Sequence, residues 1–94
     1  MNNNAPAAAP KPHEHIVCTS FDSGEGVLVD LNSKKYFQLN ETALLVWESL
    51  EQGRSHDEIV ARMTEQYDVS REHAAASLER LLENLRSYKL IREG

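Results

Sequence analysis

The sequence predicts an α+β domain in which a three-stranded antiparallel sheet precedes three α-helices, and three observations carry that reading. Between residues 15 and 39, β-branched and aromatic side chains come in short runs separated by turn-forming clusters. After Asn40 the apolar spacing changes from two to three and four. Beyond Gly53, Ser55 and Ser70 each stand at a helix N-cap position just ahead of a new apolar stripe.

Residues 1–14 stand apart. They hold all 3 prolines and the Asn2-Asn3-Asn4 run and show no period, which reads as a disordered or polyproline-like tail. The folded domain is expected over residues 15–94. Its first strand is His15 to Ser20, followed by the turn cluster Asp22-Ser23-Gly24-Glu25-Gly26. Val27 to Leu31 and Lys35 to Leu39 then form a hairpin around Asn32-Ser33. Alternation places Val27, Val29 and Leu31 on one face of their strand. It places Phe37 and Leu39 on one face of the last strand, with Tyr36 and Gln38 on the other.

Asn40 caps the first helix, whose apolar arc holds Ala43, Leu44, Val46, Trp47 and Leu50; Gly53 stands where a C′ glycine ends it. Leu45 falls on the polar side, and if exposed it marks a docking surface for an enzyme or a homodimer contact. Ser55-His56-Asp57-Glu58 is a capping box, and Ile59, Val60, Met63 and Tyr67 stripe the second helix. Ser70 caps the third, whose main stripe is Ala74, Leu78, Leu81, Leu85 and Tyr88; Leu90-Ile91 is an apolar end expected against the core. Together the hairpin and the helix-turn-helix spacing describe a winged-helix-like module.

Composition removes several functions. The 94 residues allow one domain, and 10 basic against 15 acidic side chains give a net charge of −5. A recognition helix carrying Glu79 and Glu83 toward phosphates is repelled, so the DNA-binding winged-helix regulator is the alternative and no nucleic acid is expected. The longest apolar run, Ala43 to Trp47, is 5 residues, whereas a membrane span needs about 20. The single Cys18 has no basic neighbour in sequence to activate it and reads as a strand residue. His13-Glu14-His15 offers two imidazoles without a third ligand, so no metal or cofactor is expected. With no acid/base pair in view, the chain reads as non-enzymatic and cytoplasmic.

The third helix carries one irregularity. Ala75 and Leu82 lie to one side of its main stripe, bordered by Glu79 and Arg86, and widen the apolar arc. Beside an edge strand at 35–39, that flank makes a groove for an extended peptide, held by β-augmentation.

Several stretches also resemble a known family. Tyr36-Phe37-Gln38-Leu39-Asn40-Glu41-Thr42-Ala43, Val46-Trp47, Glu51-Gln52-Gly53-Arg54-Ser55, Asp57-Glu58-Ile59-Val60 and the terminal Leu82, Leu85, Tyr88, Leu90-Ile91 are similar to the PqqD family, over about residues 15–91. The resemblance implies a peptide chaperone that binds the leader of a ribosomally made precursor peptide as an added strand. It also implies a partner enzyme that modifies the peptide, of radical S-adenosylmethionine type in the pyrroloquinoline quinone pathway. The implied site is Lys35, Tyr36, Phe37, Gln38 and Leu39 on one wall and Ala75, Leu78, Glu79, Leu82 and Arg86 on the other. Members dedicated to that quinone carry a Pro-Glu-Arg stretch where this chain reads Asn32-Ser33-Lys34-Lys35. That departure points to a stand-alone relative serving another modified peptide, a monomer or weak homodimer.

Overall fold

The computed structural model describes residues 9–93. The expected sheet is present as β2 (Ile16–Ser20), β3 (Gly26–Asp30) and β4 (Lys35–Leu39), antiparallel in the order β2-β3-β4. Three helices follow: α1 (Glu41–Glu51), α2 (His56–Gln66) and α3 (Arg71–Ser87). A second, two-stranded sheet pairs β1 (Lys11–Pro12) with β5 (Ile91–Arg92).

That second sheet corrects the boundary of the expected tail. Residues 1–8 lie outside the described residues, but Ala9 and Pro10 are buried and Lys11–Pro12 is hydrogen-bonded into the fold. The His13 N–H also donates to the Leu90 carbonyl at 3.1 Å. A two-residue strand has no measurable period, so composition registers only its prolines. What orders it is tertiary: burial of Ile91 brings a backbone edge alongside.

Helix boundaries follow from their caps. The Asn40 side chain accepts from the Ala43 N–H at 2.8 Å, and Gly53 (φ +76°) turns the chain out of α1. Ser55 and Glu58 close a reciprocal capping box on α2, and Ser70 accepts from His73 at the start of α3. Trp47 and Val46 are fully buried at the centre of the core, and the Trp47 Nε1–H donates to Glu51 at 3.0 Å. The buried Ser49 hydroxyl donates to the Leu45 carbonyl. At the far end of α3, Lys89 adopts the left-handed conformation (φ 59°), and the Leu90 N–H donates back to the Leu85 carbonyl. The turn drops Leu90 and Ile91 into the core, as expected of that apolar end.

The structure decides two faces that the sequence leaves open. In β3 the core-facing residue is Leu28, while Val27 and Val29 are half-buried and Leu31 is exposed in the hairpin turn. Apolar residues occupy both faces of this strand, so alternation alone leaves the choice open. The choice is settled by Asp30, buried on Leu28's face because its carboxylate accepts from the Asn32 and Ser33 N–H groups at 2.9 and 3.1 Å. Leu45 is half-buried against the core and shares a hollow with Leu44, Arg62 and Tyr67, so α2 covers much of the surface assigned to docking or dimerisation.

Candidate functional site

β4 is an edge strand. It pairs with β3 through Leu28↔Phe37, Val29↔Tyr36 and Val27↔Gln38, and among the described residues no strand lies on its other side. Alternate residues of an edge strand turn unpaired N–H and C=O groups outward, where an extended peptide can take them. Alternation sends Phe37 and Leu39 toward α3 and leaves Tyr36 74 % exposed on the outer face.

A groove of about 480 Å³ runs between this strand and α3. Tyr36 to Asn40 form one wall, Ala43 and Leu90 lie in it, and Leu81, Asn84, Leu85 and Tyr88 form the other wall. The Phe37 and Tyr88 rings meet across it, tilted, with centroids 5.1 Å apart. Tyr88 is 58 % exposed despite standing on an apolar stripe.

The strand half of the expected site therefore sits at the groove, apart from Lys35, which opens β4 just before it. The helix half does not. Leu78 is fully buried and Leu82 is 1 % exposed, both within the core. Glu79 pairs with His56 at the start of α2 at 2.8 Å, and Arg86 pairs with Glu93 at 2.7 Å. Ala75 is half-buried against the core. The surplus flank of α3 is thus the side that packs on α2 and the C-terminal segment. The groove lies on the other side, at Leu81, Asn84 and Tyr88. Sequence reasoning placed Leu81 and Tyr88 in the core stripe and passed over Asn84. The available signal was a polar Asn84 between Leu81 and Tyr88 on one helical stripe, which marks a face not fully covered.

The remaining chemistry-bearing groups are poorly placed for reaction. Partial burial pushes the Cys18 thiol up to about 11, reinforced by the carboxylates of Glu51 and Glu48, so it stays protonated at neutral pH. His13 and His15 stack at 5.2 Å, and His15 lies 3.8 Å from Asp30. Among the described residues no group of three His, Cys, Asp or Glu side chains is arranged to hold a metal ion. No described helix is long and apolar enough to cross a membrane.

The family described as Coenzyme PQQ synthesis protein D (PqqD) matches residues 25–91, which include β3, β4, all three helices and the groove between them. The chain belongs to the PqqD family. Two solved structures share the fold of this PqqD-family chain closely. TbiB1, in complex with the TbiA(beta) leader peptide, is 30 % identical with a TM-score of 0.81, covering 86 % of this chain and 93 % of TbiB1. A lasso peptide synthetase B1, complexed with the leader peptide, is 29 % identical with a TM-score of 0.78, covering 87 % and 95 % of the two chains. No curated protein sequence matches the chain. The DNA-binding alternative finds no support in these matches.

Proposed function

We propose that this PqqD-family domain is a non-enzymatic, cytoplasmic adaptor that binds the leader of a ribosomally made precursor peptide and presents it to a modifying enzyme. The observation that carries this reading is the conjunction of an open β4 edge with a partly apolar groove walled by Leu81, Asn84 and Tyr88. The edge supplies backbone hydrogen bonds for affinity, and the groove supplies side-chain selectivity. Both structural neighbours are complexes with leader peptides, which supports the same occupant here. In the quinone pathway the modifying partner is a radical S-adenosylmethionine enzyme; the Asn32-Ser33-Lys34-Lys35 turn favours a different modified peptide and its own enzyme.

The test is selection of a displayed random 12-residue peptide library on the wild type and on Leu81→Glu. Leu81 is half-buried at the groove, so a carboxylate there reaches water and the domain keeps its fold. The wild type is expected to enrich peptides that Leu81→Glu binds at least about tenfold more weakly, the loss of one buried apolar contact plus an unpaired charge. Enrichment should shift the β4 amide resonances. Failure to enrich, or equal binding by a folded Leu81→Glu, overturns the groove.

A further inference from the structure

Opposite charges stand at the two ends of β4. At the start of β4 stand Lys34 and Lys35, and Lys89 lies between the groove residues Tyr88 and Leu90. At the other end, Gln38, Leu39 and Asn40 also line a second hollow of about 310 Å³, completed by Phe21, Glu25, Gly26 and Val27. Val27 and Gln38 are cross-strand partners on the outer face of the sheet, so an added strand reaches this hollow with the side chains that point away from α3. Phe21 is 50 % exposed there, and Glu25 shares a further hollow with Glu41. The Glu41 carboxylate leans over Gly24, where a Cβ would lie 3.1 Å from its Oε2, so the two carboxylates flank one turn. Among the described residues none of these five charges has an ion-pair partner.

We infer that the β4 edge recognises an extended peptide by the order of its charges: a basic side chain reaching the Phe21/Glu25 hollow on the outer face and an acidic one beside Lys34 and Lys35, with apolar residues in the groove between. This rests on the peptide-binding reading above. An exposed aromatic ring next to a carboxylate suits a guanidinium or ammonium with an apolar stem. From Lys35 to Asn40 the strand advances about 17 Å at roughly 3.3 Å per residue. That exceeds the Debye length of about 8 Å, so each end attracts its own partner and one peptide must present both. The occupant then carries opposite charges about five to seven residues apart. Such an arrangement fixes register and direction, which backbone hydrogen bonds alone leave free to slip by two residues.

The same 12-residue library separates this inference from the reading beneath it. Peptides enriched on the wild type should carry opposite charges on either side of an apolar stretch. Their order, acid first or base first, reports whether the added strand runs parallel or antiparallel to β4. Glu25→Lys and the double variant Lys34→Glu/Lys35→Glu should each select peptides with the charge reversed at the matching end. Each should bind a labelled wild-type-selected peptide about fivefold more weakly at low salt, with the difference shrinking as salt rises. Peptides that Leu81→Glu loses but whose charges are scattered, and which bind the charge-reversed variants equally, overturn the charge order and leave the groove standing. Peptides indifferent to Leu81→Glu overturn both.

Discussion

Leu81 and Leu82 are neighbours in α3 with the same side chain, yet the helix gives them opposite surroundings. On the side that faces α2, Leu82 is 1 % exposed and its neighbour Glu79 is held by His56. On the side that faces β4, Leu81 is half-buried, Tyr88 is mostly exposed and Asn84 lies open beside them. The difference is one of partners, not of residue type. α2 buries Leu82 on one side of α3; a five-residue edge strand leaves Leu81 on the other only half-covered. A partly sealed apolar side beside an unpaired strand edge is what a peptide can complete.

The sharpest way to break this comparison is to put the same charge on both sides. Leu82→Glu buries a carboxylate and removes a core leucine, a loss of more than about 4 kcal/mol. A domain of this size holds only roughly 5 to 10 kcal/mol in total. The variant is expected to lose about half or more of the wild type's stability, seen as a sharply lowered urea midpoint by circular dichroism, while Leu81→Glu keeps a transition near the wild type. A Leu82→Glu variant with an unchanged urea midpoint that has lost only peptide binding would restore the groove to the α2 side.

How much of this was legible follows from the same two residues. The helices were readable from their caps, Asn40, Ser55 and Ser70, because capping is local chemistry. The β4 wall was readable from period-two alternation in Lys35 to Leu39. Leu81 and Leu82 were identifiable as apolar, but which one α2 covers is set by how two helices pack, and a wheel drawn on one helix holds no such information. The β3 faces were ambiguous for a related reason. Val27, Val29 and Leu31 fall on one parity and Leu28 alone on the other, yet the core takes Leu28's face, with Asp30 buried beside it through the turn it caps. The pairing of Lys11–Pro12 with Ile91–Arg92 joins chain ends about 80 residues apart, beyond the reach of any local pattern.

A smaller effect sharpens the groove side. Tyr88 contributes its ring to Phe37 and is otherwise exposed, so it adds little to the core. Tyr88→Ala is expected to cost about 1 kcal/mol of stability, the worth of an aromatic pair. Because the ring also forms the groove wall, the same change should weaken selected peptides by about tenfold or more, as for an aromatic anchor. Urea unfolding and fluorescence anisotropy on one preparation read both quantities. A large loss of stability with unchanged affinity would make Tyr88 a core residue and narrow the groove to Leu81 and Asn84.

The smallest effect concerns how β4 is held in place to serve as a wall. Asp30 caps the hairpin that leads into it, and the Ser33 N–H, followed by the Asn32 N–H, holds its carboxyl below the ordinary value of 3.8. A group whose folded-state pKa is lowered stabilises the fold fully above its unfolded value. That contribution is lost as pH falls below 3.8 and through the lower folded value. Asn at this position keeps an acceptor oxygen for the two amides but cannot titrate. The wild type should therefore lose stability more steeply than Asp30→Asn as pH drops below 3.8, with parallel curves above it. The urea midpoint measured against pH reads the difference. Curves that stay parallel through the acid range would mean that the charge of Asp30 does not hold the turn, and that the start of β4 depends on the side chains packed behind it.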